Sequence, residues 1–393
     1  MNKRTLLKSM TALGAGALLA GAVLPAAAQD TVKIGLILPM TGPFASTGRQ
    51  IDGAVKLYMQ QNGTTVAGKK IELILKDDAG APDTTKRLAQ ELIVNDKVSF
   101  LAGFGLTPLA LATAPLATEG KVPMIVMAAG TSIITDRSPF IVRTGFTLPQ
   151  TTYPIADWAA KNNIKKAVTL VSDFAPGVDA ETVFKARFTA AGGQVLAELR
   201  VPLRNPDFAP FLQRVRDASP DAVFVFVPSG VGSIFMKQFA ERGLDKAGIK
   251  IIGPGDVTDD DILNDMGDVA LGVVTSHHYS AAHPSAMNKA YVEAFRKMNN
   301  IRPNFMSIGG YDGMALIYKA LAATKGDTNG EKLVAAMKGM SWESPRGPLS
   351  IDAQFREPVQ NMYIRKVEKV GNELHNVEFE TLTAVKDPTK VAK

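Results

Sequence analysis

The chain has no cysteine, only four histidines and only two tryptophans among 393 residues. Without cysteine there is no disulfide, no thiol nucleophile and no attachment point for a lipid anchor. Stability must come from apolar burial, and a 46% hydrophobic composition over this length suffices for two cored domains. The histidines are His277, His278, His283 and His375. Neighbouring residues of a strand point to opposite faces, so His277 and His278 are not expected to share an ion. No metal site and no cofactor are expected. Nor is there a nucleophile elbow, since Pro228 precedes Ser229. Gly103-Phe104-Gly105 starts like a dinucleotide loop, but Pro108 takes the place of the third glycine. These absences argue against an enzyme.

Charge of one sign is also scarce. The formal +6 falls to +3 once Lys3, Arg4 and Lys8 are set aside with the leader. So weak an excess excludes a dedicated nucleic-acid binder. Lys3, Arg4 and Lys8 precede an apolar run over 10–24, and Ala26-Ala27-Ala28 supplies small residues for cleavage before Gln29. Residues 1–28 therefore read as a cleavable signal peptide, by the Sec route, with a faint twin-arginine flavour. No later run reaches the roughly 18 apolar residues of a membrane span. A free periplasmic protein and a monomer are expected.

What is present is an alternation of strand and helix patterns. Residues 32–40 are an apolar run with β-branched residues. Residues 41–48 form a polar turn, and Ile51, Ala54, Val55 and Tyr58 then recur at helical spacing. The same alternation gives strands at 71–75, 98–104 and 122–127. Asp83 is expected to cap the helix after the first of these, and Thr107, followed by Pro108, the helix after the second. A second series brings strands at 167–171, 195–201, 222–227 and 249–252, with a helix from Asp179. A strand over 271–279, three helices and a β-rich tail with strands at 349–351, 362–370 and 374–379 complete the chain. Asp259-Asp260-Asp261 reads as acidic charge at a helix N-terminus. The pattern is that of a doubly wound α/β protein.

Five loops at strand carboxyl ends are short, rich in glycine and hydroxyls, and lead into helices: 41–48, 104–107, 129–132, 174–179 and 228–232. Such positions hold ligands in open parallel sheets. Helix N-termini offer unpaired N–H groups and a positive dipole end, which suit a carboxylate.

The stretches KIGLILPMTGPFASTG, KDDAGAPDTTKRLAQELI, VSFLAGFGLTPLALATAPLATEGKVPMI, IVRTGF, DAVFVFVPSGVGSIFMKQF and IGGYDGMALI together resemble the periplasmic substrate-binding proteins of Leu/Ile/Val-type ABC transporters. The resemblance implies the type I periplasmic binding protein fold, with two Rossmann-like lobes joined by three crossovers, placed near 146–148, 275–279 and 345–350. The first lobe is expected to comprise 29–146 and 277–346, the second 147–276 and 347–393. A ligand is then trapped by lobe closure. The carboxylate is assigned to Gly105, Thr107, Ala129, Gly130 and Thr131. The apolar body falls to Phe44, Ala45, Phe104, Phe174 and Ala175. The second lobe adds the loops at Ser229 and Gly255, and the distal group falls to Asp256, His278 or Tyr279.

One departure bears on the ligand. Amino-acid binders of this class resemble Gly-Pro-Glu where this chain has Gly253-Pro254-Gly255, with Asp256 one place later. A buried ammonium without its acid is costly. A small carboxylate without an α-amino group, an aromatic or other organic acid, is therefore favoured, delivered to a membrane permease. The alternative is a branched-chain or other amino acid. A receptor-sensing module and a secreted hydrolase are further readings.

Overall fold

A computed structural model describes residues 30–390; the leader expected over 1–28 lies outside the described residues. The first sheet contains β1 (Thr31–Leu38), β2 (Thr65–Val66), β3 (Lys69–Asp77), β4 (Phe100–Gly103), β5 (Met124–Val126) and β6 (Ile141–Arg143), in the order β2-β3-β1-β4-β5-β6. Helices α1 (Ala45–Asn62), α2 (Pro82–Val94) and α3 (Thr107–Gly120) connect it. All its pairings are parallel except the short β2–β3 ribbon. Parallel strands covered on both faces read as continuous apolar runs, and β4 and β5 are buried throughout.

The chain then passes to α4 (Leu148–Lys161), β7 (Lys166–Ser172), α5 (Ala175–Ala190), β8 (Gln194–Val201), α6 (Ala209–Ala218), β9 (Ala222–Phe226), α7 (Gly232–Glu241), β10 (Lys250–Pro254), α8 (Leu263–Met266) and β11 (Val274–His277). It returns with α9 (Ala286–Asn299), α10 (Phe305–Ala323) and α11 (Gly330–Met337). It crosses once more to β12 (Ser341–Ser344), β13 (Gly347–Ile351), β14 (Pro358–Val370) and β15 (Glu373–Val385). The second sheet runs β12-β13-β14-β11-β10-β9-β7-β8, with β15 on β14. The three crossings are the segments 144–147, 278–285 and 338–340. The third comes earlier than expected. Trp342 pairs with Leu349 in the β12–β13 ribbon, which draws 341–344 into the second sheet, and His277 likewise pairs with Tyr363 there.

Each sheet has a point where strand order reverses: β3-β1-β4 in the first, β8-β7-β9 in the second. Loops leaving the carboxyl ends on either side of such a point diverge and leave a crevice. Those loops follow β1, β4, β7 and β9, and they face one another between the lobes.

Two arginines stitch the crossings. Arg143, fully buried, donates to the carbonyls of Ala129, Phe146 and Thr131 and pairs with Glu357 at 2.9 Å. Arg346, also buried, pairs with Asp312 of α10 at 2.6 Å and donates to the Thr144 and Gly145 carbonyls and to Gln360 Oε1. Trp342 Nε1 and Ser344 Oγ donate to the same Asp312 carboxylate. The first crossing and the ribbon that follows the third are therefore tied to residues of both lobes, while Arg365 donates to the Tyr279 carbonyl of the second. Removing one partner of a buried pair strands the other charge. Arg346→Ala is expected to cost about 3–5 kcal/mol, whereas Lys56→Ala, which breaks the half-exposed pair with Asp52, costs under about 1 kcal/mol. Urea unfolding of the two variants measures the difference.

Candidate functional site

A cavity lies between the lobes. From the first lobe its wall takes Thr47, Gly105, Leu106, Thr107, Ala128, Ala129, Gly130 and Met306. From the second it takes Phe174, Pro176, Phe226, Pro228, Ser229 and Asp256. Phe146 and Leu148 come from the first crossing and the helix that follows it. The lining is mainly apolar with a few polar groups, the usual make-up of a small-molecule site.

The loop after β4 needs a left-handed path. Gly103 has φ +107°, and a Cβ there would stand 2.3 Å from the Ile37 carbonyl oxygen, while Phe104 follows at φ +66°. This turn brings Gly105 to the cavity and buries Phe104 in the sheet core. Helix α3 then starts at Thr107, with Leu106 in the capping position and Pro108 in the first turn. Thr107 is thus the first helical residue, not the cap as expected. Its hydroxyl is free of capping and lies 2.9 Å from the Thr131 hydroxyl. Behind the 129–131 loop, Arg143 holds the Ala129 and Thr131 carbonyls. A buried guanidinium and the positive end of α3 thus flank the same hydroxyl pair.

Across the cleft, α5 begins at Ala175 rather than at Asp179, and Pro176 in its first turn meets the cavity. Phe174 stacks on Phe226 at 6.0 Å between ring centroids. Asp83 too lies within the first turn of its helix and does not cap it, because Pro82 already occupies the first position.

The acidic run is not helix-terminal charge. Asp259 accepts from Ser229 Oγ and the Gly230 N–H, and Asp260 from Asn376 and the Ala281 N–H. Asp261 accepts from Ser46 Oγ at 2.8 Å and from Asn304 Nδ2 at 3.0 Å, both in the first lobe. The physical reason is the short 3₁₀ turn after β10, which directs the run into the cleft instead of into a helix. Further contacts bridge the lobes: the Ser132 N–H to Asp179 at 3.1 Å, and Arg204 to the Gly80 carbonyl at 3.0 Å. The lobes are closed on the cavity.

The expectation for His277 and His278 also changes. Strand β11 ends at His277, so strand alternation does not extend to His278. Their rings lie 4.5 Å apart and both pack on Phe146, His278 stacked at 5.2 Å. Burial holds both rings well below the usual histidine range, hence neutral. Among the described residues no cluster of metal-binding side chains is present.

Of the residues singled out from sequence, Gly105, Thr107, Ala129, Gly130, Phe174, Ser229 and Asp256 meet at this cavity. Thr131 stands one hydroxyl behind it. Phe44 packs instead against Leu106 and Leu109, and Ala45 and Ala175 open helices outside the wall. Phe104, His278 and Tyr279 lie in the core behind it. Gly255 is shielded: a Cβ there would fall 1.9 Å from Arg365 Nη2. Thr47, Leu106, Phe146, Leu148, Phe226, Pro228 and Met306 carried no local signal beyond their places in or next to the loops, and Phe146 sits in the first crossing.

Asp256 is almost fully buried on the cavity wall. Burial pushes its carboxyl up to about 7 against the pull of the Arg365 guanidinium. An acid whose folded value lies above its unfolded one stabilises the fold fully at low pH, and that contribution is lost as pH rises through the folded value. The buried histidines act with the opposite sign, so the informative quantity is a difference. Asp256→Asn should gain on the wild type by roughly 1.4 kcal/mol per unit as pH rises from about 4 to 7. Urea unfolding of ligand-free protein at pH 5, 6 and 7 checks this; a pH-independent gap means that Asp256 titrates at its ordinary value.

A family model described as periplasmic binding protein matches residues 31–372. The "Leu/Ile/Val-binding protein homolog 6" of Brucella melitensis is 44% identical over 385 residues, spanning 97% of this chain and 98% of its own length. A solved solute-binding protein of an ABC transporter from Rhodopseudomonas palustris BisB5, in complex with 3,4-dihydroxybenzoic acid, is 69% identical. It superposes with a TM-score of 0.91 over 92% of this chain and 100% of that one. A second from R. palustris HaA2, in complex with p-hydroxybenzoic acid, is 42% identical with a TM-score of 0.88, over 91% and 99%.

Proposed function

Since the chain belongs to the periplasmic binding protein family, we propose that it is the solute-binding component of an ABC importer and captures a small aromatic carboxylate between its lobes. The observation that carries this reading is the cavity itself. It is bounded by both lobes, walled by Phe146, Phe174 and Phe226, and supplied with the Thr107–Thr131 hydroxyl pair at the start of α3. Aromatic walls take a planar ring. The hydroxyls and the helix end take its carboxylate, and Arg143 holds the loop from behind. The relatives solved with hydroxylated benzoic acids support the same class.

Capture requires no chemistry. Ligand contacts drawn from both lobes are complete only when the lobes meet, so the ligand shifts the population toward the closed form. The acceptors that fix that form are Asp261 for Ser46 and Asn304, and Asp179 for Ser132. The partner is a membrane permease that receives the closed form, and the site of action is the periplasm, reached through the leader. No helix among the described residues is long and apolar enough to cross a membrane.

An α-amino acid fits less well. Its ammonium needs an acid on the second lobe that no other cation compensates, whereas Asp256 already faces the Arg365 guanidinium, which also fills the place of a side chain at 255.

A thermal-shift series of benzoic acids, 2-oxo acids, leucine, isoleucine and valine tests the class. A ligand at a hundred times its Kd stabilises by about 2.7 kcal/mol. Aromatic acids are expected to raise Tm, and the aliphatic amino acids to leave it unmoved; the reverse outcome overturns the reading. Thr107→Val should weaken the aromatic acid about tenfold or more, because a hydrogen bond to a charged group is lost.

A further inference from the structure

We propose that Asp256 is the group that reads a ring hydroxyl of the ligand, so that the site selects hydroxylated aromatic carboxylates over unsubstituted ones. This rests on the aromatic-carboxylate reading above and names the chemistry at the end of the ligand remote from its carboxylate.

The acids around the cleft differ in how they are satisfied. Asp261 accepts two hydrogen bonds across the lobes, Asp179 accepts the Ser132 N–H, and Asp260 is held by Asn376 and the Ala281 N–H. Asp259 keeps one oxygen unpaired but stands off the wall, and its other oxygen takes Ser229 Oγ and the Gly230 N–H. Asp256 alone among these lines the cavity while its buried Oδ2 has no donor. The nearest candidate, His277 Nε2, stands off at 3.5 Å and makes no hydrogen bond. A buried carboxyl oxygen without a donor is costly unless something in the cavity supplies one. Ser229 is not a rival reader, because its hydroxyl is already given to Asp259.

The surroundings decide which donor. Arg365 lies buried behind Gly255, where a Cβ would stand 1.9 Å from its Nη2 and 2.8 Å from His277 Cδ2. Its guanidinium donates to the Tyr279 carbonyl and to Thr275 Oγ1, and its charge already compensates Asp256 from behind. An ammonium on the ligand would bring a second cation into the same low-dielectric corner, where like charges repel strongly. A phenolic O–H donates without adding charge, and a hydrogen bond to a carboxylate is among the strong ones. His277, neutral and wedged between Phe146 and Phe305, is a positioning residue that keeps the Asp256 carboxyl turned toward the cavity.

Asp256 sits on the second lobe, and the Thr107–Thr131 pair on the first. A hydroxylated ring therefore ties the lobes together through both of its polar ends, whereas benzoate holds only one lobe by a polar contact.

Isothermal titration of the full mature chain with benzoate, 4-hydroxybenzoate, 3,4-dihydroxybenzoate and 4-(aminomethyl)benzoate tests this. The wild type should bind a hydroxylated acid about 10- to 100-fold more tightly than benzoate and reject the ammonium compound. In Asp256→Leu, similar in volume and without an acceptor, the preference should shrink to within about threefold. His277→Phe should reduce it partway, and Lys56→Ala, outside the cavity wall, should leave it in place. Thermal unfolding of each variant identifies any that do not fold, and the comparison of ligands in the wild type needs no variant at all. Equal affinity for benzoate and the hydroxylated acids, or a preference that survives in folded Asp256→Leu, overturns the inference while leaving the aromatic-acid reading intact. Failure of all four compounds to bind overturns the aromatic-acid reading itself.

Discussion

The site depends on Arg143. Its guanidinium reaches the carbonyls of Ala129, Thr131 and Phe146 and pairs with Glu357 of the other lobe, all out of contact with water. A buried cation must spend its hydrogen bonds on partners of fixed geometry, so one side chain sets the shape of the 129–131 loop, the path of the first crossing and the relation between the lobes. Because that loop's carbonyls are turned toward the guanidinium, its other face is left to the cavity. The carboxylate end of the pocket is therefore held from behind by the same contact that holds the hinge.

The second lobe follows a different economy. Its acids follow β10, Asp256 in a tight 3₁₀ turn and Asp259, Asp260 and Asp261 just beyond it, four carboxyls beside the two guanidiniums of Arg365 and Arg302. Burial pushes the Asp259 and Asp260 carboxyls up, as it does Asp256. Such a cluster is tolerated because most of its oxygens are assigned to donors on adjacent segments or on the facing lobe.

Much of the architecture was legible in the pattern of residues. Apolar runs such as 98–104 and 222–227 are strands because strands buried on both faces need no alternation. The loop positions at Gly105, Thr107 and Gly130 followed from where such strands end. What was not legible depended on a single dihedral or on a distant partner. Thr107 looked like a cap because Pro108 follows it, but the extended backbone of Leu106 takes that role. Asp259-Asp260-Asp261 looked like helix charge because Ser46, Asn304 and Asn376 are far away in sequence. His277 and His278 looked divergent because the end of β11 between them has no marker in composition. Phe146 has no site signal of its own in the sequence, since a lone aromatic in a linker carries no period.

The bridge from Asp261 to Ser46 and Asn304 has a kinetic meaning. The cavity is closed over by both lobes, so a molecule inside it leaves only after those hydrogen bonds have parted. Residence time is then governed by the lifetime of the closed rim as well as by the ring's own contacts. Two ligands of unequal affinity can share one exit rate if neither alters the rim, and a membrane partner that pries the rim apart would speed release without touching the ligand.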